Sequence, residues 1–216
     1  MPTLEDLQDE NTLKECFSRR LRRALKECPF KLQLLSDDDP EIEDADLLIE
    51  ETFPEKEAEQ YKPSYLLSSL KNVAVLACLK KGVVIGVITV NIDDQDAELH
   101  SLAIDKNYRN QKIGSLLMIA VHDLCVALDV TNISLISSAY GQSFYESFHF
   151  KTMALQSYEA SLPFKRSIIK NKLDSFMDCH SKSKKRELVI SDSSLFSEKK
   201  RRCIEKEDTP TITPSN

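Results

Sequence analysis

The stretch that most limits how this chain can fold runs from Ala97 to Ser137. A β-type segment, AELHSLAI (97–104), is followed by a polar loop (105–112), a long apolar run (Ile113–Leu128) and a second β-type segment, NISLIS (132–137). Within the run, Ile113, Leu117, Ala120, Leu124 and Ala127 recur every three or four positions, the period of a helix. Strand, helix and strand of these lengths make a βαβ crossover, so the two strands should lie parallel or nearly so. The helix N-terminus then sits just beyond the C-terminal end of strand 97–104. Unpaired amides and the positive end of the helix dipole converge there, which makes the point an anion site.

The flanking sequence supplies more strands and helices. Phe30–Leu35 reads as a strand. Asp44–Phe53 and Glu55–Leu70 read as helices punctuated by Pro54 and Pro63. NVAVLACL (72–79) and VVIGVITVNI (83–92), joined by Lys80-Lys81-Gly82, read as a hairpin, and Asp93–Asp96 turns the chain into strand 97–104. Near the start, Leu13, Phe17, Leu21 and Leu25 form an i+4 stripe beside Arg19, Arg20, Arg22, Arg23 and Lys26. That is a helix docked on the body, or a membrane-surface or partner helix. Ser167–Met177 reads as a short helix.

Charge is distributed unevenly. The net charge is -6 over 216 residues. Residues 166–216 hold 12 Lys/Arg against 8 Asp/Glu, whereas residues 36–60 hold 12 acids and one lysine. The acidic block either steers a cationic partner or is a solvated pair of helices. The clusters at 182–186 (KSKKR) and 199–202 (KKRR) read as a nuclear address, a nucleic-acid contact or a solvated disordered tail. The acidic body argues against nucleic acid on the core domain. No stretch is long and apolar enough for a bilayer, since the longest stops at His122-Asp123, and the acidic start has no apolar signal region. The six cysteines are scattered without a C-x-x-C pair. That points away from a disulfide framework or zinc site and toward reduced thiols inside a cell.

The loop before the apolar helix is RNQKIGS (109–115). Gly114 allows close backbone approach, Ser115 leaves room beside it, and Arg109 and Lys112 add positive charge; such a turn can hold a pyrophosphate. The Walker A and dinucleotide patterns are both absent. Taken with strand 97–104 before it and FYESFHF (144–150) after it, this segment resembles the acetyl-CoA loop of the GNAT superfamily of N-acetyltransferases, [Q/R]-x-x-G-x-[G/A], and that family's downstream F-Y-E-K-x-G-F. Arg109 and Gly114 match the first and last loop positions. Lys112 stands at the first loop glycine, to offer its N–H if its φ is negative, and His149 at the glycine before Phe150. Ala139 and Gln142 fall where the family often has Asn and Ala.

The resemblance covers about residues 30–157. It implies an α+β fold: a mixed, mostly antiparallel sheet with a central splayed parallel strand pair, flanked by helices. The expected organisation is an N-terminal helical extension (1–29), the GNAT domain (30–165) and a basic, largely disordered tail (166–216). The implied reaction moves an acetyl group from acetyl-CoA, the co-substrate, to a primary amine of a small molecule, polyamine or protein lysine, without a metal. By resemblance, Leu102, Ala103 and Ile104 offer backbone groups to the pantetheine arm. Arg109, Asn110, Gln111, Lys112, Ile113, Gly114 and Ser115 hold the pyrophosphate. Tyr145 matches the family's general acid, although a Tyr packed at a helix end would look the same.

Glu98 is the candidate base. Strand alternation puts Glu98, His100, Leu102 and Ile104 on one face, and a carboxylate desolvated by apolar neighbours becomes a stronger base. The bland reading is an edge glutamate. His100 either relays the proton instead or is structural. Two other readings are a catalytically silent GNAT-like binding module and a nucleic-acid binder acting through the basic tail. Cytoplasmic residence is expected, or nuclear if the basic clusters act as an import signal.

Overall fold

The computed structural model describes residues 2–138, 140–154 and 156–180. A seven-stranded sheet has the order β1 (Lys31–Leu35), β2 (Val73–Lys80), β3 (Val83–Asp93), β4 (Asp96–Ile104), β5 (Asn132–Ile136), β7 (Ser157–Ser161), β6 (Lys151–Ala154). Every pairing is antiparallel except β4 with β5, the two strands on either side of the apolar helix. The crossover argument anticipated this.

Strand β2 shows why the sheet is covered on both sides. Ala74, Leu76 and Cys78 belong to one buried cluster, and Val73, Val75, Ala77 and Leu79 to the other. A strand buried on both faces reads as a continuous apolar run, and NVAVLACL does so. The first cluster lies under α1 (Glu10–Cys16), α2 (Arg19–Glu27) and α6 (Ile113–Ala127). The second lies under α3 (Glu41–Thr52), α4 (Glu55–Tyr61) and α5 (Pro63–Ser69). The break between α4 and α5 falls at Lys62, whose ψ of 131° is the extended conformation that a following proline favours. Helix α6 is apolar on all sides because nearly all of it is buried. It starts close over β3: a Cβ built on Gly86 would lie 2.8 Å from Ile104 and 3.2 Å from Ile113.

Both terminal segments take part in the first cluster. Leu13, Phe17 and Leu21 are fully buried in it, so the stripe at the start is docked on the body, but on two helices and not one: the backbone is extended at Phe17 and Ser18, between α1 and α2. Residues 166–180 are helical (α8), and Ile168, Leu173 and Phe176 of this helix are buried there, with the Phe176 ring 6.2 Å from that of Phe30. The compact unit is thus Met1–Met177, and the divisions expected at 29/30 and 165/166 do not separate independent cores. The buried apolar residues continue past both. Asp178–Asn216 form a second unit, of which only 178–180 are described. The basic clusters at 182–186 and 199–202 lie outside the described residues. No helix among the described residues is long and apolar enough to cross a membrane.

A polar knot ties the N-terminal helices to α6. The Asp123 carboxylate accepts from the Ser18 N–H (2.8 Å) and lies 2.9 Å from His122 Nδ1. His122 Nε2 in turn accepts from the Phe164 N–H (3.1 Å), and its ring stacks on Phe164. Because Nε2 accepts, Nδ1 carries the proton toward Asp123.

Candidate active site

Strands β4 and β5 pair over only four residues, from Asp96↔Asn132 to Leu99↔Leu135. Beyond Leu99, β4 runs on to Ile104 without a partner in β5. A cavity of about 590 Å³ occupies this gap. Its walls include Leu102 and Ile104 of β4, Arg109 and Asn110 of the loop, Gly114 in the first turn of α6, and Phe144 and Tyr145 of α7 (Gln142–Glu146).

At one end stands the N-terminus of α6. Its helical ladder begins with the Leu116 N–H to Lys112 oxygen bond at 3.0 Å, so the amides of Ile113, Gly114 and Ser115 have no helical acceptor. A Cβ on Gly114 would sit 3.6 Å from the Phe144 ring and 3.9 Å from Ile104. It would meet no clash and instead take up space among groups that line the cavity. The Arg109 guanidinium is anchored across the strand end, with Nε donating to the Ile104 carbonyl at 3.2 Å.

The expected cofactor residues divide. Leu102, Ile104, Arg109, Asn110 and Gly114 line the gap. Ala103 does not: it points to the other face, buried with α3. The Ile113 side chain packs into the core and Ser115 is buried, so these two can contribute only backbone. Gln111 donates from Nε2 to the Asn107 carbonyl at 3.2 Å and bridges the loop.

Two departures from the family pattern prove conformational. Lys112 has a φ of 64° and His149 a φ of 66°. The condition that Lys112 adopt a negative φ is not met: both residues hold the left-handed backbone that glycine accepts readily. The turn therefore keeps a glycine-type shape with other side chains. Lys112→Gly should raise stability by about 1 kcal/mol, read as a higher urea midpoint, while weakening anion binding by removing a charge. An unchanged or lower midpoint would show that the loop relaxes instead. Ala139 lies outside the described residues.

The largest correction concerns Glu98. Thr89 pairs with Ser101 but Val90 pairs with Leu99, so His100 is an extra residue in β4, a β-bulge. The bulge reverses the alternation. Ala97 and Leu99 face the α6 side before it, whereas Leu102 and Ile104 face that side after it. Glu98 therefore lies on the opposite face from Leu102 and Ile104. It is exposed, and it lines a second cavity of about 340 Å³ beside α4 and α5. Leu102 and Ile104, the apolar neighbours expected beside it, lie on the other face, and its exposure leaves the carboxylate in contact with solvent. His100, at the bulge, lines both cavities.

The bulge also leaves polar atoms stranded. Thr89 Oγ1, Ser101 Oγ and His100 Nε2 are buried with no hydrogen-bond partner among the described residues. His100 and Ser101 border the larger cavity, so a polar ligand there would satisfy groups that otherwise carry a desolvation cost.

Tyr145 is 8% exposed, and its ring packs edge-on against Phe144 and Phe150. Burial pushes its phenol up to about 12, so it holds its proton at neutral pH. Sequence reasoning missed Gly141. A Cβ there would lie 2.5 Å from Ser137 Oγ and 3.2 Å from the Tyr145 ring, so glycine lets α7 approach the end of β5. It also missed Phe53, at the end of α3, which lines the cavity from the far side. No local pattern marks either residue.

The fold is shared with several solved acetyltransferases. The N-acetyltransferase PaiA of Thermoplasma acidophilum, solved with coenzyme A, superposes with a TM-score of 0.52 at 22% identity, over 62% of this chain and 99% of that one. Gcn5 of Tetrahymena superposes at 0.54 with 15% identity, over 63% and 97%. An aminoglycoside 6'-N-acetyltransferase solved with coenzyme A superposes at 0.52 with 12% identity, over 62% and 99%. At these identities the likeness shows the fold. No curated protein matches the chain at a significant level. Residues 38–166 match the family model described as "Acetyltransferase (GNAT) domain", more than half of the chain, and the chain therefore belongs to the GNAT acetyltransferase family.

Proposed function

We propose that this protein transfers an acetyl group from acetyl-CoA to a primary amine of a small molecule, polyamine or protein lysine. The observation that carries this reading is the gap beyond Leu99 and Leu135, with the α6 amides at one end and Tyr145 in its wall. The unpaired edge of β4 suits a pantetheine arm, and the amides of Ile113, Gly114 and Ser115 suit its pyrophosphate. Arg109 and Lys112 add positive charge at the same end.

In the reaction a neutral amine attacks the thioester carbonyl carbon. A C–N bond forms, the C–S bond breaks, and the electron pair leaves on sulfur. Tyr145 protonates the departing thiolate. The amine's proton passes to His100 at the junction of the two cavities, or to Glu98 on the acceptor side. General acid–base help of this kind contributes about 10²- to 10⁴-fold. A backbone N–H of β4 at the bulge polarises the carbonyl, a role suited to a strand whose ladder is interrupted there.

Calorimetry with acetyl-CoA, followed by thiol release against a panel of amines, tests the reading. Saturable binding and amine-dependent release support it; binding without release from any amine leaves a silent cofactor-binding module. Gly114→Val should weaken acetyl-CoA binding by about tenfold or more by filling the cradle, with the fold intact. Wild-type affinity in that variant would remove Gly114 from the site.

A further inference from the structure

The second cavity lies on the other side of His100 from the cofactor gap and shares Leu99, His100 and Ile136 with it. Its chemistry differs. Glu98 supplies a carboxylate, and Tyr61 and Tyr65 supply aromatic surface. Tyr61 is held in place against Phe53, ring to ring at 5.0 Å. A carboxylate beside aromatic rings is a setting that favours an alkylammonium over a neutral or anionic group.

What surrounds the mouth says how far the acceptor extends. Tyr65 (46% exposed), Leu70 (38%) and Ile136 (70%) line this cavity, yet each leaves much of its side chain in solvent. Tyr140, at the mouth of the neighbouring gap, is 97% exposed. Large apolar side chains gathered round one opening mark a surface that is covered when the partner arrives. A small diamine fits within about 340 Å³ and leaves that rim uncovered. The same side of the sheet carries α3 and α4, from the segment whose 12 acids face one lysine, so the field around the opening favours a partner with several positive charges.

We propose, resting on the acetyltransferase reading of this site, that the acceptor is a lysine side chain within a basic polypeptide segment. Its ammonium enters beside Glu98, Tyr61 and Tyr65 and gives one proton to solvent; the neutral amine then attacks the thioester in the adjoining gap, and the proton released from nitrogen as the C–N bond forms passes to His100 or Glu98. The flanking polypeptide lies over Tyr65, Leu70 and Ile136.

The test uses the full chain and three acceptors: an N-terminally blocked peptide with one lysine flanked by arginines, the same peptide with glutamates in place of the arginines, and spermidine. Thiol release gives kcat/KM for each. The arginine-flanked peptide is expected to exceed the other two by at least about tenfold. Leu70→Ser and Tyr65→Ser are expected to raise its KM while calorimetric affinity for acetyl-CoA stays at the wild-type value. Equal or faster turnover of spermidine, or of the glutamate-flanked peptide, would overturn the proposal, as would wild-type KM in both rim variants. If acetyl-CoA binds but no amine prompts release, or does not bind at all, the transferase reading itself fails and this proposal fails with it.

Discussion

Tyr145→Phe should bind acetyl-CoA about as the wild type does and acetylate amines about 10²- to 10⁴-fold more slowly. The change removes one oxygen from a ring that stays packed between Phe144 and Phe150, so the fold and the cavity wall persist. The loss should fall on kcat, because the phenol's proton is needed only as sulfur departs. An unchanged kcat would strip Tyr145 of the acid role. The pH profile gives a second reading. With the phenol pushed up to about 12 by burial, Tyr145 stays protonated through the neutral range, so an alkaline fall in rate below that value belongs to another group. The same shift links to stability. The folded value lies above the ordinary 10.0, so the neutral buried phenol contributes fully below pH 10 and that contribution is lost as pH rises toward 12.

Asp123→Ala should cost about 3 kcal/mol of stability, because it leaves the Ser18 N–H and the His122 Nδ1–H without their acceptor in a buried setting. Chemical denaturation followed by far-UV circular dichroism measures it. The effect should be global, since the carboxylate joins the start of α2 to the middle of α6 and, through His122, to Phe164. A loss no larger than that of a surface substitution would mean water replaces the carboxylate without cost. The expected loss follows from the N-terminal helices sharing the main core and not forming an appendage.

Some of this was legible in the chain and some was not, for identifiable reasons. The crossover from β4 through α6 to β5 was legible because periodicity and length are local, and connection rules leave little choice once they are known. The turn at Gly114 and Tyr145 could be singled out because each lies on a short contiguous segment, and both line the same cavity. Glu98 was misplaced because one extra residue, His100, reverses which face every later side chain occupies, and nothing in AELHSLAI announces a bulge. Lys112 and His149 look like losses of motif because residue type does not reveal φ; in the fold both take the left-handed conformation that glycine accepts readily. The second cavity was invisible for a related reason: Tyr61, Tyr65, Glu98 and Ile136 come from three separate stretches that meet only across the sheet.

The amino-acid order alone determined the strand and helix periods, the parallel pair, the amide-lined turn at Gly114 and the concentration of acid at 36–60, since each depends on neighbours a few positions apart. The tertiary structure alone decided which face Glu98 occupies, that β4 and β5 part after Leu99, and that the terminal helices complete the core. These depend on where distant segments pair and on a one-residue change of register, and such contacts between remote parts of the chain leave no trace in any local pattern.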